Sequence, residues 1–125
     1  EGVSDRVHMP GWIQNSGSLL KACDVLVCPS RIEPLGNVVI EAFSAGRPVI
    51  GADIQGPHEL LAGTQDGLLF PSEDHRALAA GIRAVIEDPA RADDLARNGR
   101  ARFEREFSAP TVLARWSHFL RREAV

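Results

Sequence analysis

The stretch that decides the fold is Glu33-Pro34-Leu35-Gly36-Asn37-Val38-Val39-Ile40-Glu41-Ala42-Phe43-Ser44-Ala45-Gly46-Arg47-Pro48-Val49-Ile50. Its apolar pattern predicts a helix over Asn37–Ala45 that Gly46 closes, because glycine readily adopts the left-handed conformation that ends many helices. Glu41 is the one charged residue between Leu35 and Gly46. A charge in so apolar a segment is costly to bury unless something pairs with it, so Glu41 is a candidate ligand contact.

Short apolar runs and helical patterns alternate around this stretch. Strands are predicted at residues 6–9, 24–28, 48–51 and 67–70, and short helices at residues 18–23, capped by Ser18, and 56–62. The strands lack polar alternation, and helices separate them. Both features are typical of a parallel sheet covered on both faces. The predicted fold class is therefore α/β, with one parallel sheet between layers of helices.

The pattern becomes wholly helical from Ser72 onward. Ser72-Glu73-Asp74 opens a helix whose predicted apolar stripe is Leu78, Ile82, Val85 and Ile86. Pro89 begins a second helix that runs to about Phe107. Ser108-Ala109-Pro110 caps a third, which carries Val112, Leu113, Trp116, Phe119 and Leu120 at helical spacing. Trp116 and Phe119 are predicted to anchor a core, within a helical C-terminal tail at about residues 90–123.

Composition indicates an ordinary soluble domain. The chain has 125 residues, of which 44% are hydrophobic and 25% are charged, and no apolar run approaches the roughly 20 residues of a membrane helix. It begins at Glu1 rather than Met, which suggests a fragment. Cys23 and Cys28 lack a metal-binding or redox spacing, so we expect reduced, buried thiols and a cytoplasmic location.

Charge is distributed unevenly along the chain. Residues 1–87 carry 6 Lys and Arg against 11 Asp and Glu, whereas residues 88–125 carry 8 Arg against 6 acidic residues. So small a basic surplus does not indicate a nucleic-acid partner. The Arg-rich tail could contact anionic lipid, although a solvated helix face is the simpler interpretation.

The Glu33–Glu41 segment follows a predicted strand and opens a helix. Ligands of open α/β sheets bind beyond the carboxyl ends of the strands, where a helix start offers unpaired N–H groups to a phosphate. Gly36 permits close backbone approach, and Asn37 either caps the helix or faces the ligand. Glu41 could accept two hydrogen bonds from a vicinal diol such as that of a ribose, and Glu33 could reach a sugar hydroxyl. Alternatively, both carboxylates are exposed charges without a ligand.

This stretch resembles the donor-site signature of retaining glycosyltransferases of the GT-B fold, in the large family 4 group (glycosyl transferases group 1). The central matches are Pro29-Ser30, Glu33, Gly36, Glu41-Ala42 and Gly46-Arg47-Pro48-Val49. The flanking matches are Gly11, the Asp24-Val25-Leu26-Val27 strand, Gly56 with Glu59, Gly67-Leu68-Leu69, and Ser108. The resemblance implies that residues 1–125 are a partial, Rossmann-like C-terminal domain that binds a nucleotide-diphosphate sugar.

The resemblance also implies a role for each site residue. Glu33 would contact donor-sugar hydroxyls and, as the candidate catalytic residue, stabilise positive charge at the anomeric carbon. Glu41 would bind the ribose. The diphosphate and sugar would be held by the backbone amides of Leu35, Gly36, Asn37 and Val38. No metal and no cofactor beyond the donor is expected, since electrostatic stabilisation of the leaving diphosphate is what such a site must supply.

Five further polar residues carry weaker expectations. Glu59 matches a family position near the donor pocket, and a capping or structural role fits it equally well. A structural role is also expected for His8, His75 and His118. His58 stands at a variable family position, where a proton shuttle is only a minor alternative.

The resemblance implies that important parts of the enzyme lie outside this chain. These are the acceptor-binding N-terminal domain with its His, and a first βαβ unit with an Arg/Lys pair for the diphosphate. We therefore predict that the isolated chain does not transfer sugar. We also expect it to cover an exposed sheet edge, either by self-association or by exchanging a strand or helix with a neighbouring chain. The expected partners are the nucleotide-sugar donor and an acceptor sugar or lipid-linked glycan. Peripheral contact with the inner membrane face is an option, and no nucleic acid is expected.

Two other function classes stay open. One is a related GT-B enzyme, such as a nucleotide-sugar epimerase or a phosphorylase. The sole lysine, Lys21, lies in a short predicted helix with no suitable setting for a pyridoxal cofactor, which disfavours a phosphorylase. The other class is a non-catalytic module that binds a nucleotide or other proteins.

Overall fold

The computed structural model describes residues 2–122, which form a three-stranded parallel sheet and its helices. The strands are β1 (Leu26–Cys28), β2 (Val49–Ala52) and β3 (Leu68–Phe70), in the order β1-β2-β3. Leu26 pairs with Val49, and Ile50 pairs with Leu68. Three of the four predicted strands are confirmed, each within one or two residues of its expected ends.

Six α-helices surround the sheet among the described residues. They are α1 (Ser16–Ala22), α2 (Asn37–Ala45), α3 (Gln55–Leu61), α4 (His75–Ile86), α5 (Pro89–Arg102) and α6 (Ala109–Arg122). A 3-10 turn spans Ser4–Arg6, and a π-helical turn at Phe103–Phe107 joins α5 to α6.

The central strand β2 separates two apolar cores. Val49 faces α2 and α3, in a cluster with Val39, Ala42, Phe43, Leu60 and Leu61. Ile50 points to the opposite face, in a cluster with Ala52, Phe70, Val85 and Leu95. This alternation follows from the two-residue period of a strand, and it confirms the α/β arrangement with helices on both faces.

Helix α5 contributes to both cores. Leu95 belongs to the cluster around Ile50, whereas Gly99, one turn later, abuts Phe43 in the other cluster. A Cβ added at Gly99 would lie 2.5 Å from the Phe43 ring, so this helix–helix contact requires glycine. The helix therefore passes from one face of the sheet towards the other.

Two local predictions at the start of the chain are wrong. Residues 6–9 do not form a strand: Arg6 is the last residue of a 3-10 turn, all four residues are exposed, and no described strand pairs with them. A parallel strand needs a hydrogen-bonded neighbour, which apolar sequence alone does not supply. The cap of α1 is Asn15 rather than Ser18, since the Asn15 side chain accepts a hydrogen bond from Ser18 N at 3.0 Å.

The expected burial of the helical tail is also partly wrong. Val85 is buried, but Ile86 is exposed, because α4 ends there and Glu87 is its C-cap. Trp116 and Phe119 are exposed rather than core anchors. Helical period predicts which residues share a face, whereas burial also requires a partner for that face. Both cysteines are free, as expected, although only Cys28 is fully buried.

Candidate functional site

The site is built where the loop after β1 meets the start of α3. The Glu33 carbonyl oxygen accepts a hydrogen bond from Gly56 N at 2.9 Å. The Glu33 side chain turns back into its own loop, where Oε1 accepts a hydrogen bond from Gly36 N at 3.1 Å. Glu33 is half-buried. These two hydrogen bonds hold its backbone and its side chain at the carboxyl edge of the sheet.

Two glycines make this junction possible. A Cβ on Gly56 would lie 2.5 Å from Gly36 N and 2.7 Å from the Glu33 carbonyl oxygen, distances that no side chain tolerates. Gly36 adopts φ +71°, and a Cβ there would lie 2.9 Å from a Leu60 methyl group. Both positions therefore need glycine: Gly56 for close backbone contact, and Gly36 for its left-handed conformation.

The start of α2 presents unpaired backbone donors. Gly36 is the N-cap and supplies no side-chain oxygen, while its carbonyl accepts from Val39 N at 2.9 Å. Among the described residues, the amides of Asn37 and Val38 have no hydrogen-bond acceptor. These N–H groups and the helix dipole make the start of α2 suitable for an anion. Asn37, the first residue of α2, is exposed and does not cap the helix.

Glu41 lies one turn into the same helix and is exposed. The residues around it face the core, but its carboxylate reaches solvent and forms no ion pair within residues 2–122. Because Glu41 is exposed, its charge has no cost of burial that a partner would need to offset, contrary to the expectation from its apolar neighbours. Its spacing of four residues from Asn37 still places it on the side of α2 that begins at the site.

The structure brings most of the predicted site residues together. Glu33, Leu35, Gly36, Asn37 and Val38 lie in one continuous turn, with Leu35 exposed at its tip. Glu59 lies on α3, is exposed, and makes no side-chain hydrogen bond within the described part of the chain. Its proposed place near the pocket remains a prediction.

Sequence reasoning missed two side-chain pairs at this edge. His58 Nδ1 lies 2.5 Å from Asp53 Oδ1, which brings α3 to the residue that follows β2. Arg31 and Glu73 pair at 2.9 Å and connect the loops after β1 and β3. Their sequence signal is weak: a polar residue soon after each apolar strand. The other three histidines, His8, His75 and His118, are exposed.

A third cluster missed from sequence fixes the far end of α3. Arg102 donates to the Leu60 carbonyl oxygen, to Asp66 Oδ2 at 3.1 Å and to Glu106 Oε2 at 3.0 Å. Burial raises the pKa of Glu106, but hydrogen bonds from Arg102 and Arg105 outweigh it and hold the pKa below its ordinary value. Burial lowers the pKa of Arg102, but its hydrogen bonds to Glu106 and Asp66 outweigh that effect, so the pKa is raised.

One of the larger grooves among the described residues lies away from the candidate site. Its volume is about 610 Å³, and it is lined by residues at the amino end of the sheet, among them Cys23, Asp24 and Arg47. Arg47 donates to the Lys21 carbonyl oxygen at 2.7 Å, while its buried Nε has no partner in the described structure. This groove shares no residue with the Glu33 turn.

Residues 2–122 contain no group of three or more His, Cys, Asp or Glu side chains placed to hold a metal ion. In the same part of the chain, no helix is long and apolar enough to cross a membrane.

Comparison with known proteins identifies the family. A match to the family Glycosyl transferases group 1 spans residues 1–102. The chain belongs to this family. It is 36% identical over 111 residues to the lipopolysaccharide core biosynthesis glycosyltransferase LpsD of Rhizobium meliloti (strain 1021). That match covers 89% of this chain and 32% of LpsD, so the chain spans about a third of its relative's length.

Solved structures agree with this assignment. Sucrose-phosphate synthase from Thermosynechococcus elongatus has a TM-score of 0.86 and 34% identity, covering 96% of this chain and 31% of that protein. Anabaena Alr3699/HepE, solved in complex with UDP-glucose, has a TM-score of 0.87 and 30% identity, covering 95% of this chain and 33% of HepE. The expected Rossmann-like, GT-B type of fold with a helical tail is therefore confirmed.

Proposed function

We propose that this chain is the donor-binding part of a retaining glycosyltransferase of family 4, and that it binds a nucleotide-diphosphate sugar. The observation that carries the proposal is the start of α2, where Asn37 N and Val38 N lie beside the fixed carboxylate of Glu33. Neither amide has a hydrogen-bond acceptor within residues 2–122. Membership of the glycosyl transferases group 1 family supports the proposal, as does the UDP-glucose bound to HepE.

In this proposal Glu33 recognises the sugar. Its Oε1 accepts from Gly36 N, and its second oxygen has no partner within residues 2–122, so Oε2 can accept a hydrogen bond from a sugar hydroxyl. The same carboxylate would stabilise positive charge that develops at the anomeric carbon as the bond to the diphosphate breaks. The fixed loop would hold it in place, so little reorganisation would be needed during the reaction.

The start of α2 binds the diphosphate, and Glu41 binds the ribose. The amides of Leu35, Gly36, Asn37 and Val38 surround the N-terminus of α2, although the Gly36 amide is already used by Glu33. Amide donors and the helix dipole stabilise the leaving diphosphate without a metal, so donor binding should be insensitive to EDTA. The exposed Glu41 carboxylate is free to accept two hydrogen bonds from the ribose diol.

The isolated chain should not transfer sugar. Its relatives are about three times as long, and we place acceptor binding outside these residues. Strand β1 ends the described sheet, and its outer edge has no strand partner among residues 2–122. Such an edge favours self-association. The two free cysteines fit a reducing, cytoplasmic setting.

Titration of the ¹⁵N-labelled chain with UDP, GDP and their glucose and mannose derivatives tests the donor-binding proposal. The amide resonances of Asn37 and Val38 should shift on binding. Glu41→Ala should weaken binding of the nucleotide about tenfold, the value of one lost bidentate contact to a charged group. Glu87→Ala removes an exposed carboxylate at the end of α4 and should change nothing.

Three outcomes would contradict the proposal or replace it. If no nucleotide or nucleotide sugar shifts the α2 amides, the chain is a module of another kind. Equal losses in Glu41→Ala and Glu87→Ala would remove the ribose role. Epimerisation of the donor by a longer polypeptide that contains these residues, without transfer to an acceptor, would favour the epimerase alternative.

A further inference from the structure

Leu60 connects the end of α3 to the Glu33 turn, which comprises residues 33–38. The Leu60 side chain is 8% exposed and lies against Gly36, where an added Cβ would be 2.9 Å from one of its methyl groups. The Leu60 carbonyl oxygen accepts a hydrogen bond from Arg102, the last residue of α5. One residue of α3 therefore contacts both the turn and α5.

A second contact joins the same helix to the same turn. Gly56 lies one helical turn before Leu60 on α3, and its amide donates to the Glu33 carbonyl oxygen at 2.9 Å. Because α3 has only seven residues, a displacement of Leu60 also displaces Gly56. The Glu33 turn is thus held by α3 at two points.

The Arg102 side chain holds α3 from the other side. One guanidinium nitrogen donates to the Leu60 carbonyl oxygen and to Asp66 Oδ2, the latter at 3.1 Å, and Nε donates to Glu106 Oε2 at 3.0 Å. We name these groups the Arg102 cluster. The side chains of Asp66 and Glu106 are 15% and 28% exposed, so water and salt screen these ion pairs only weakly. A guanidinium presents its donors in a fixed geometry, so the cluster fixes the position of the Leu60 carbonyl group.

The end of α2 is held by the same part of α5. Arg100 donates to the Ser44 carbonyl oxygen in the last turn of α2, and Gly99 abuts Phe43 of that helix. Helix α2 begins within the Glu33 turn, and α3 begins beside it. The end of α5 therefore contacts the far ends of both helices that build the candidate site.

We propose that Arg102 is a positioning residue for donor binding, and that it acts through Leu60 on the Glu33 turn. Arg102 does not touch the donor. It holds Leu60 beneath Gly36, and through α3 it keeps Gly56 in contact with the Glu33 carbonyl oxygen. A turn that is ordered before the ligand arrives binds more tightly, because less ordering is left to occur on binding. The effect on affinity rests on the proposed donor-binding function, whereas the effect on the turn is measurable without a ligand.

Amide hydrogen exchange in the ligand-free chain tests the positioning role. The amides of Gly36 and Gly56 both donate to Glu33, and in Arg102→Met they should exchange about tenfold faster than in the parent, through local opening of the turn. The amides of β2 report unfolding of the whole chain and should change only in step with its overall stability. Arg97→Met removes a mostly exposed partner of Asp94 on the same helix, and should leave the exchange of the turn unchanged.

A milder pair of variants keeps the test available if Arg102→Met does not fold. Leu60→Val withdraws the methyl group from Gly36, so the Gly36 amide should exchange faster. Leu61→Val makes the same change in a buried neighbour that packs against Gly51 of β2, and should leave the Gly36 amide unchanged. Adding Arg102→Met to Leu60→Val should affect the Gly36 amide less than Arg102→Met alone, because both changes act on the same contact.

Calorimetry with UDP-glucose and GDP-mannose measures the effect on the donor. At a temperature where circular dichroism shows a folded chain, Arg102→Met should bind whichever probe the parent binds about tenfold more weakly. An unchanged affinity would overturn the role in donor binding. If the parent binds neither probe, the proposed function fails, and the exchange rates still decide whether Arg102 positions the turn.

Three exchange results would overturn the positioning role. One is a folded Arg102→Met whose Gly36 and Gly56 amides exchange as in the parent. Another is a single common factor of acceleration for these amides and those of β2, which would assign Arg102 to overall stability alone. The third is equal acceleration of the Gly36 amide in Leu60→Val and Leu61→Val.

Discussion

Gly56 donates its amide hydrogen to the carbonyl oxygen of Glu33 at 2.9 Å, and this contact joins the loop after β1 to the start of α3. The two backbones touch so closely that a Cβ on Gly56 would meet three backbone atoms within 2.7 Å. The turn that carries Glu33 therefore depends on α3 as much as on the strand that precedes it.

Gly56→Ala should separate these two loops. Because the clashing atoms belong to the backbone, they cannot move aside as a flexible side chain would, and we expect a loss of about 1–3 kcal/mol in the free energy of unfolding. Urea denaturation measures this loss, and the α2 amides should no longer respond to nucleotide.

The control is Gly17→Ala in α1, where the nearest atom to an added Cβ is 3.7 Å away. Alanine favours a helix over glycine, so this variant should be unchanged or more stable by up to about 1 kcal/mol. Equal destabilisation in the two variants would mean that any added methyl group is harmful, and that the close contact between Gly56 and the Glu33 loop has no special importance.

The sequence predicted α2 to the residue, from Asn37 to Ala45 with Gly46 as its C-cap. The sequence signals there are local. They are apolar residues at helical spacing and Gly46, which adopts φ +64° in the structure. Residues 6–9 have an apolar pattern too, but a strand exists only with a hydrogen-bonded neighbour, and the described chain offers none. Trp116 shows the same limit. The sequence predicted that this side chain is buried in a core, whereas the structure shows it exposed on its helix.

The sequence predicted the local part of the candidate site but not the contacts between residues far apart in the chain. Glu33 and Gly36 lie within three residues of each other, so one turn brings them together, and their hydrogen bond follows from the local chain. The pair formed by Asp53 and His58 depends on how α3 leaves β2, and the contact between Arg102 and Asp66 joins residues 36 positions apart. Spacing along the sequence does not encode such contacts.

Glu33→Gln should separate sugar recognition from nucleotide binding. Glutamine keeps an oxygen for the Gly36 amide, so the turn should persist, but it loses the negative charge offered to the sugar. We expect about tenfold weaker binding of the nucleotide sugar, the value of one lost charge-assisted hydrogen bond. Binding of UDP alone should change far less, and calorimetry measures both affinities. Equal weakening of both ligands would contradict a sugar-specific role.

Arg102→Met should destabilise the fold strongly. The Arg102 side chain is 16% exposed, and its loss would leave the Asp66 carboxylate and the Leu60 carbonyl oxygen without the partner they have in the described structure, and Glu106 with Arg105 alone. Removing one member of a largely buried ion pair costs roughly 2–4 kcal/mol, which urea denaturation would detect.

Arg97→Met is the matched control for this substitution. Arg97 also pairs with an aspartate, Asp94, but both side chains are mostly exposed, so its loss should cost less than about 0.5 kcal/mol. If both variants were equally stable, the Arg102 cluster would have no structural role, and the fixed end of α3 would need another explanation.

The Arg102 cluster should also make stability depend on pH. The pKa of Glu106 in the folded chain lies below its ordinary value of 4.5, so near that pH the unfolded chain binds more protons than the folded chain. The stabilisation is therefore complete above about pH 4.5 and is lost as the pH falls through the lower, folded-state pKa.

Glu106→Gln should flatten this part of the stability curve, whereas Glu87→Gln, on the exposed end of α4, should leave it unchanged. Urea midpoints measured from about pH 3 to about pH 6 give both slopes. Parallel curves for Glu106→Gln and the parent chain would show that other carboxylates cause the acid sensitivity.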